Sequence, residues 1–166
     1  MVQAVKISSE KGFSLIEMII AIAELGITLA IATPNFMAWR QNTNLREAAR
    51  DISSDISLYK QRAVAENIRY QIVFNQGANN YTVNVENPAG SGFYTPLVPA
   101  VTKSPADEGR NVIINNITHA GQNITLQPRG TMDAGAITLQ HAVRTVSTAT
   151  ITTNITGRVY VGYNIH

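Results

Sequence analysis

Residues 11–36 read KGFSLIEMIIAIAELGITLAIATPNF, and this stretch decides the class of protein. From residue 13 to residue 33 the only charged residues are Glu17 and Glu24. A helix over these residues, at about 1.5 Å each, is roughly 30 Å long, which matches the hydrocarbon core of a bilayer. The sequence therefore predicts a helix that spans a membrane.

A cleaved secretory signal is the alternative interpretation of this stretch, with Lys6 and Lys11 as its positive segment. The apolar part of such a signal covers only about 7–15 residues and ends at a small-residue cleavage site. The apolar run here is longer and leads into a second helical pattern, so we expect an anchor that is retained. The lysines before it place the N-terminus in the cytoplasm.

A second, amphipathic pattern follows Pro34 and predicts a stem helix over residues 36–68. Its apolar positions recur at helical spacing and are Leu45, Ala48, Ala49, Ile52, Ile56, Tyr59 and Ala63. Gly26 and Pro34 both weaken a continuous helix, so we expect a kink near the proline.

The segment from residue 69 to residue 166 has the pattern of β-strands. Alternating segments at 69–75 and 81–86 predict a hairpin, and five further strand-like segments come later. Between them, residues 87–110 contain four prolines and three glycines, and we expect them to form a long loop. The predicted fold class is α+β, with a long helix followed by a β-rich head.

Composition excludes several functions. The protein has 166 residues, of which 45% are hydrophobic and only 14% charged, against about 25% in average globular proteins. It has no cysteine, which excludes disulfides, thiol nucleophiles and thiolate metal sites. A formal net charge of +2 is too small to indicate nucleic-acid binding by itself.

Glu17 is an expensive residue at the start of the apolar run. A carboxylate inside a membrane span costs about 2.5–3.5 kcal/mol, so it normally has a partner or a function. Residues 13–33 contain no Lys, Arg or His. Cleavage between Gly12 and Phe13 would create the missing cation, an α-amino group four residues before Glu17 on the same helix face.

This block resembles the class III signal of type IV pilins and type II secretion pseudopilins. In that family a prepilin peptidase cuts after the glycine and methylates the new N-terminus, which implies cleavage after Gly12 and methylation of Phe13. The resemblance implies that Glu17 guides subunit docking into a helical filament. It also implies that the apolar helix forms the filament core after assembly. Gly26 and Pro34 fall where the family has them.

Glu24 departs from the family pattern, which usually has an apolar residue at this position. It lies seven residues after Glu17, so both side chains face nearly the same way. Either Glu24 is tolerated as a protonated acid in the membrane, or it pairs with a neighbour and fixes the place of this subunit in a heteromeric tip. Both carboxylates are therefore candidate assembly residues.

The C-terminal half resembles H-type minor pseudopilins of type II secretion and FimT-type minor pilins. The resemblance rests on ITLQPRGTMDAGAITL (124–139) and TTNITGRVYVG (152–162), and on a stem-like helical pattern over residues 39–68. It implies a pilin-like fold, in which the long N-terminal helix packs against a C-terminal antiparallel β-sheet or β-sandwich head.

No catalytic or metal-binding pattern is recognisable. The three histidines, His119, His141 and His166, show no metal-ligand spacing, and nucleophile-elbow and phosphate-loop motifs are absent. We therefore expect no enzyme activity, no cofactor and no metal, and we place His119 in a loop. Three acidic residues that could bind calcium do not form a recognisable loop: Asp107, Glu108 and Asp133.

DNA binding is the alternative function, because some FimT-type pilins bind DNA through a Gly-Arg-x-Arg-like segment. Here the matching stretch, 157–160, reads GRVY and lacks the second arginine. The candidate phosphate-binding and stacking surface consists of Arg129, Arg144, Arg158 and Tyr160. Residues 69–166 carry six basic and four acidic residues, which is less basic than a DNA groove.

The sequence predicts a minor pseudopilin or minor pilin with four segments. They are a cleaved leader (1–12), a transmembrane and filament-core helix (13–35), an amphipathic stem (36–68) and a periplasmic head (69–166). We expect a single pass through the bacterial inner membrane, followed by entry into a periplasmic or surface filament. The expected partners are other pilin-like subunits, prepilin peptidase, the membrane and exported cargo. A DNA-binding competence pilin and a major pilin of a fibre shaft are the alternatives.

Overall fold

The structure, a computed structural model, describes residues 12–108, 111–143 and 145–166. The protein divides into two compact units, of which the first ends at Ala38 and the second begins at Trp39. Helix α1, Leu15–Glu66, contributes residues to both units. Apart from its last residue, the predicted leader lies outside the described residues.

In the first unit, α1 is apolar on all sides. Every residue from 12 to 37 is exposed, including large side chains such as Ile22 and Leu25. Among the described residues, α1 is the one helix long and apolar enough to cross a membrane. A helix without a polar face is not stable in water alone, so this segment requires lipid or other helices around it.

Pro34 lies inside α1. Proline has no N–H, so the carbonyl of Ala30 receives no helical hydrogen bond from position 34. One residue earlier, the Thr33 hydroxyl donates to the carbonyl of Leu29 at 2.6 Å. Side-chain bonds of this kind accompany bent helices. The kink remains a prediction with a local physical cause.

In the second unit, the stem part of α1 buries one face. All seven apolar positions that the helical spacing identified are buried. One acidic residue, Asp55, is buried among them. Most successive buried positions are three or four residues apart, and the adjacent pairs 48/49 and 55/56 lie on the same face of a helix with a period of 3.6 residues.

Eight strands follow α1 in the part of the chain that the structure describes. They are β1 Tyr70–Asn75, β2 Asn80–Glu86, β3 Tyr94–Lys103, β4 Val112–Ile117, β5 Asn123–Leu126, β6 Gly135–His141, β7 Thr148–Thr153 and β8 Val159–Asn164. A short helix α2, Pro105–Glu108, follows β3, and a single 3-10 turn, Ala120–Gln122, precedes β5. The strands form two antiparallel sheets, in the orders β3-β2-β1-β5 and β4-β6-β7-β8.

Side chains from the stem and from both sheets form a single hydrophobic core. Aromatic rings join its parts: the ring of Tyr59 on α1 lies 5.8 Å from that of Tyr70 on β1. Within the first sheet, the rings of Phe74 and Tyr81 are 5.4 Å apart. This arrangement confirms the predicted fold class, a long N-terminal helix packed against antiparallel β-sheets.

The predicted loop over residues 87–110 is wrong in its middle, because Tyr94–Lys103 is strand β3. Proline cannot donate a hydrogen bond, which made Pro96 and Pro99 read as strand breakers. However, β3 lies at the edge of its sheet and pairs only with β2. An outward-facing position on an edge strand needs no N–H donor. A register shift also leaves residues 97–100 outside the pairing.

Candidate functional site

The residues of the predicted cleavage site are accessible. Gly12, Phe13 and Glu17 are all exposed. The first hydrogen bond of α1 runs to the carbonyl of Ser14, so Ser14 occupies the N-cap position that serine favours. Phe13 therefore precedes the helix here, and the shared helix face expected for Phe13 and Glu17 is not part of α1.

Glu17 and Glu24 project from the apolar part of α1. Both are exposed, and neither forms an ion pair with another described residue. Gly26 has no atom within 4 Å of the position that a Cβ would take, so packing within this protein does not require glycine there. In an apolar environment a carboxylate needs a proton or a cation, and no described Lys, Arg or His side chain pairs with either residue.

Two glycine turns meet in the second unit. Gly130 lies between β5 and β6, and Gly157 between β7 and β8, with φ of 83° and 79°. A Cβ on Gly157 would lie 2.0 Å from the carbonyl oxygen of Gly130, so no side chain fits there. Lys60 of α1 donates to the carbonyl of Gly157 at 2.9 Å. These contacts fasten both turns to the stem.

Three of the four residues predicted for a basic surface lie on or beside these turns. Arg129 precedes Gly130, is exposed, and makes no hydrogen bond or ion pair with the described residues. Arg158 is also exposed, and a hydrogen bond with Tyr160 raises the pKa of its guanidinium. Arg144 lies outside the described residues.

A cleft of about 410 Å³ opens beside Arg129. Its lining includes Asn67, Arg69, Glu86, Gly90, Gln127 and Arg129. The Glu86 side chain is buried, and its Oε1 accepts hydrogen bonds from the Gly92 amide at 2.8 Å and from Arg69 Nη1 at 3.2 Å. The backbone amide of Gly90 lowers the pKa of the Glu86 carboxyl most; burial opposes this, and Gly92 and Arg69 support it. Sequence reasoning missed this site, since its only signal was an acid at the end of a predicted strand.

A second polar cluster joins α1 to the first sheet. The buried carboxylate of Asp55 accepts hydrogen bonds from the Tyr81 hydroxyl at 2.7 Å and from Lys103 Nζ at 3.0 Å. Burial and then the bond to Asp55 raise the pKa of Tyr81. Burial lowers the pKa of Lys103, but its bond to Asp55 and the nearby negative charge outweigh this and raise it. The hydrogen bonds from Tyr81 and Lys103 thus compensate the free-energy cost of burying the Asp55 carboxylate.

His119 lies in a loop as expected, but it is buried. Its Nε2 is 2.8 Å from Thr153 Oγ1, which itself donates to the carbonyl of Asp133 at 2.7 Å. Nε2 is therefore the donor. A Cβ on Gly135 would lie 2.7 Å from the ring, so the glycine makes room for it. Burial lowers the pKa of His119, and Nδ1 has no partner among the described residues.

Two of the three acidic residues named as calcium candidates, Asp107 and Asp133, accept hydrogen bonds from backbone amides. Asp107 accepts a hydrogen bond from the Ser104 amide at 2.8 Å, and Asp133 from the Thr125 amide at 2.8 Å. Within the described ranges, no group of three or more His, Cys, Asp or Glu side chains could hold a metal ion.

Comparison with known proteins identifies the family. The family described as "Type II transport protein GspH" matches residues 48–157, about two thirds of the sequence. The protein belongs to the GspH family. The "Prokaryotic N-terminal methylation motif" matches residues 7–33 of this GspH-family protein, which include the predicted cleavage site and anchor. An apolar N-terminal helix together with such a motif is the arrangement of a membrane-anchored pilin.

Relatives of this GspH-family protein include competence protein ComGD of Bacillus subtilis (strain 168), 27% identical over 97 residues, or 57% of this chain and 68% of ComGD. The minor pseudopilin EpsH from the type 2 secretion system of Vibrio cholerae has a TM-score of 0.55 at 6% identity, covering 71% of this chain and 95% of EpsH. The type IV minor pilin FimU of Pseudomonas aeruginosa (strain PAO1) has a TM-score of 0.55 at 12% identity, covering 75% and 92%.

These two structures show the shared fold, because their sequence identities are low. Together with the GspH and methylation-motif matches, they confirm that the protein is a type IV pilin or pseudopilin. The matched families consist of structural subunits, not enzymes.

Proposed function

We propose that this GspH-family protein is a minor pseudopilin or minor pilin, an assembly subunit of a type II secretion or type IV pilus machine. It is made as a precursor, cut after Gly12 by prepilin peptidase and methylated at Phe13. It crosses the bacterial inner membrane once, with its N-terminus in the cytoplasm and its head in the periplasm. The observation that carries the proposal is an exposed, apolar helix segment that lies within the match to a methylation motif.

Docking takes place through the apolar part of α1. When the subunit moves out of the membrane, the helices of other pilin-like subunits must cover the exposed apolar surface of this helix. Glu17 then neutralises the α-amino group of Phe13, in the same subunit or in a neighbour. Buried charged pairs serve register and specificity better than stability, so Glu17 determines how far one subunit is displaced along the next. The head contacts neighbouring minor subunits or exported cargo and has no catalytic role.

Processing provides the direct test. We expect mass spectrometry of the membrane-bound protein, co-expressed with a prepilin peptidase, to find an N-terminus at N-methylated Phe13. Gly12→Val should leave the precursor uncut, because the cleaved bond follows that residue. Gly26→Ala is the matched control, since a Cβ there meets no atom within 4 Å. A mature protein that starts at any other residue contradicts the proposal.

A second candidate function is DNA binding in natural transformation. Arg129 and Arg158 extend from adjacent turns, and Tyr160 is exposed beside Arg158. Such residues can contact phosphates and stack on bases. The name of the relative ComGD refers to competence.

A further inference from the structure

The cleft beside Arg129 is a feature that docking through α1 does not use. Its volume, about 410 Å³, lies within the range of small-ligand sites. The polar part of its lining consists of two guanidinium groups, two carboxamides and one carboxylate, which belong to Asn67, Arg69, Glu86, Gln127 and Arg129. Groups from separate parts of the sequence thus converge on one opening.

Arg69 is held in place before any ligand arrives. Its Nε donates to Gln127 Oε1 and its Nη1 to Glu86 Oε1, both at 3.2 Å. Its own carbonyl accepts a hydrogen bond from the Glu86 amide at 2.9 Å. A side chain that is already ordered loses little conformational entropy on binding, which favours a ligand.

Glu86 supports Arg69 and does not serve as a cation ligand. Its side chain is buried, and the Gly92 amide and Arg69 both donate to its Oε1. Because the backbone amides of Gly90 and Gly92 lower its pKa, Glu86 stays ionised at neutral pH. Its negative charge therefore balances one of the two guanidinium groups of the cleft.

Arg129 supplies the remaining positive charge. Its turn is fixed by hydrogen bonds from the Gly130 amide to the Gln127 carbonyl and from the Gln127 amide to the Thr131 carbonyl, both 2.9 Å. The side chain itself is exposed and has no hydrogen-bond or ion-pair partner among the described residues. A rigid backbone thus presents an unpaired guanidinium at the cleft.

The charges select the class of ligand. Arg69 and Arg129 against Glu86 leave one positive charge, which a singly charged anion balances. A carboxylate has that charge and two oxygens that match the fork of a guanidinium. A nucleic acid needs a row of cations, and Glu86 would repel a doubly charged phosphate. We propose that this cleft binds a carboxylate presented by a partner protein, from either an acidic side chain or the partner's C-terminus.

Titration with acetate tests the proposal. The full-length, 15N-labelled protein in zwitterionic detergent micelles is titrated with sodium acetate, while sodium chloride keeps the ionic strength constant. We expect the NMR signals of Arg129 Nε and of the Gln127 carboxamide to follow a saturating curve in the millimolar range. Arg129→Gln should weaken binding about tenfold or more, because a charge-assisted hydrogen bond is lost. Arg158→Gln is the matched control, since it removes the same charge from the adjacent turn, outside the cleft lining.

The proposal is wrong if the shifts stay proportional to the acetate concentration, or if Arg129→Gln binds acetate as tightly as the unmodified protein. It is also wrong if inorganic phosphate saturates the cleft at a lower concentration than acetate does. The peptides Ac-Gly-Glu-Gly-NH2 and Ac-Gly-Gly-Gly-OH distinguish an acidic side chain from a C-terminus. If neither peptide saturates the cleft at a lower concentration than acetate does, the proposal that a partner protein presents the carboxylate is wrong. The outcome is independent of cleavage after Gly12, so failure here and failure of the proposed function are distinguishable.

Discussion

At the scale of single residues, positions differ in whether their neighbours lie inside the molecule or outside it. Gly157 and His119 are constrained by atoms of the same molecule, within 3 Å in each case. Glu17 and Glu24 have no ion-pair partner among the described residues. Substitutions at the first pair should therefore change stability, and a substitution at Glu17 should change assembly.

We expect Glu17→Gln to lower incorporation into isolated filaments or minor-subunit complexes by about tenfold or more, because the amide cannot neutralise a buried α-amino group. Glu24→Gln is the matched variant, with the same chemistry on nearly the same side of α1, and should be incorporated normally. Immunoblots of the purified assemblies measure both. An equal loss for Glu24→Gln would instead support its pairing with a specific neighbour.

Gly157→Ala should destabilise the head in two ways. A left-handed φ costs an L-residue about 1–2 kcal/mol, and the clash of its Cβ with the Gly130 carbonyl adds about 1–3 kcal/mol. Gly92→Ala isolates the first effect, because Gly92 has a φ of 78° but open space around it. Thermal unfolding in detergent, followed by circular dichroism, compares them. Equal losses would show that the contact with Gly130 contributes nothing.

His119 makes stability depend on pH. Its pKa in the folded protein is lowered by burial, so the unfolded state, with a pKa near 6.5, binds the proton first. Stability is therefore full above about pH 7 and falls as the pH drops below about 6.5, by at most about 1.4 kcal/mol per pH unit. Urea midpoints between about pH 5 and 7.5 should slope less for His119→Gln than for the unmodified protein. Parallel slopes would assign the effect to other groups.

At the scale of elements, side-chain hydrogen bonds bind backbone groups of edge strands and so connect one element to another. Asn79, in the turn between β1 and β2, donates to the Val112 carbonyl and accepts from the Ile114 amide, both at 2.9 Å. These bonds reach β4, an edge strand of the other sheet, and connect the two sheets. The Asp55 cluster connects α1 to the first sheet in the same way.

Tyr81→Phe tests that connection. The substitution keeps the ring beside Phe74 but removes the hydrogen bond to the buried carboxylate of Asp55, which should cost about 1–3 kcal/mol. Tyr163→Phe, at a partly exposed ring, should change the free energy of unfolding by less than about 0.5 kcal/mol. Urea unfolding measures both variants. A neutral Tyr81→Phe would mean that Lys103 alone compensates Asp55.

At the scale of the whole molecule, the charge distribution separates the two candidate functions. The protein has a formal net charge of +2, and the described part of the predicted basic surface offers only Arg129 and Arg158 as cations. Each phosphate contact contributes about −0.9 to the slope of log affinity against log salt. Two contacts give a shallow slope and weak binding.

If subunit docking is the function, filter binding of DNA to the full-length protein across a salt series should show no salt-dependent retention. The variants Arg158→Gln and Arg129→Gln should then retain the same amount of DNA on the filters as the unmodified protein. Retention at low salt with a slope of about −2, reduced by about one unit in each variant, would favour the DNA-binding candidate.

The sequence by itself determined the parts of this protein that depend on neighbours along the backbone. The apolar run and the methylation motif are continuous stretches, and the buried stem face follows from a period of 3.6 residues. Glu17 could also be identified from the sequence, because the free-energy cost of a charge in a membrane depends only on the apolar residues around it.

Tertiary structure decided the rest. Strand β3 was read as a loop because an edge position, which tolerates proline, exists only once sheets are formed. The burial of Asp55 and Glu86 and the convergence of Arg69 with Arg129 on one cleft join residues far apart in the sequence. No local pattern encodes such contacts, because their free energy depends on which segments meet when the helix and the two sheets pack together.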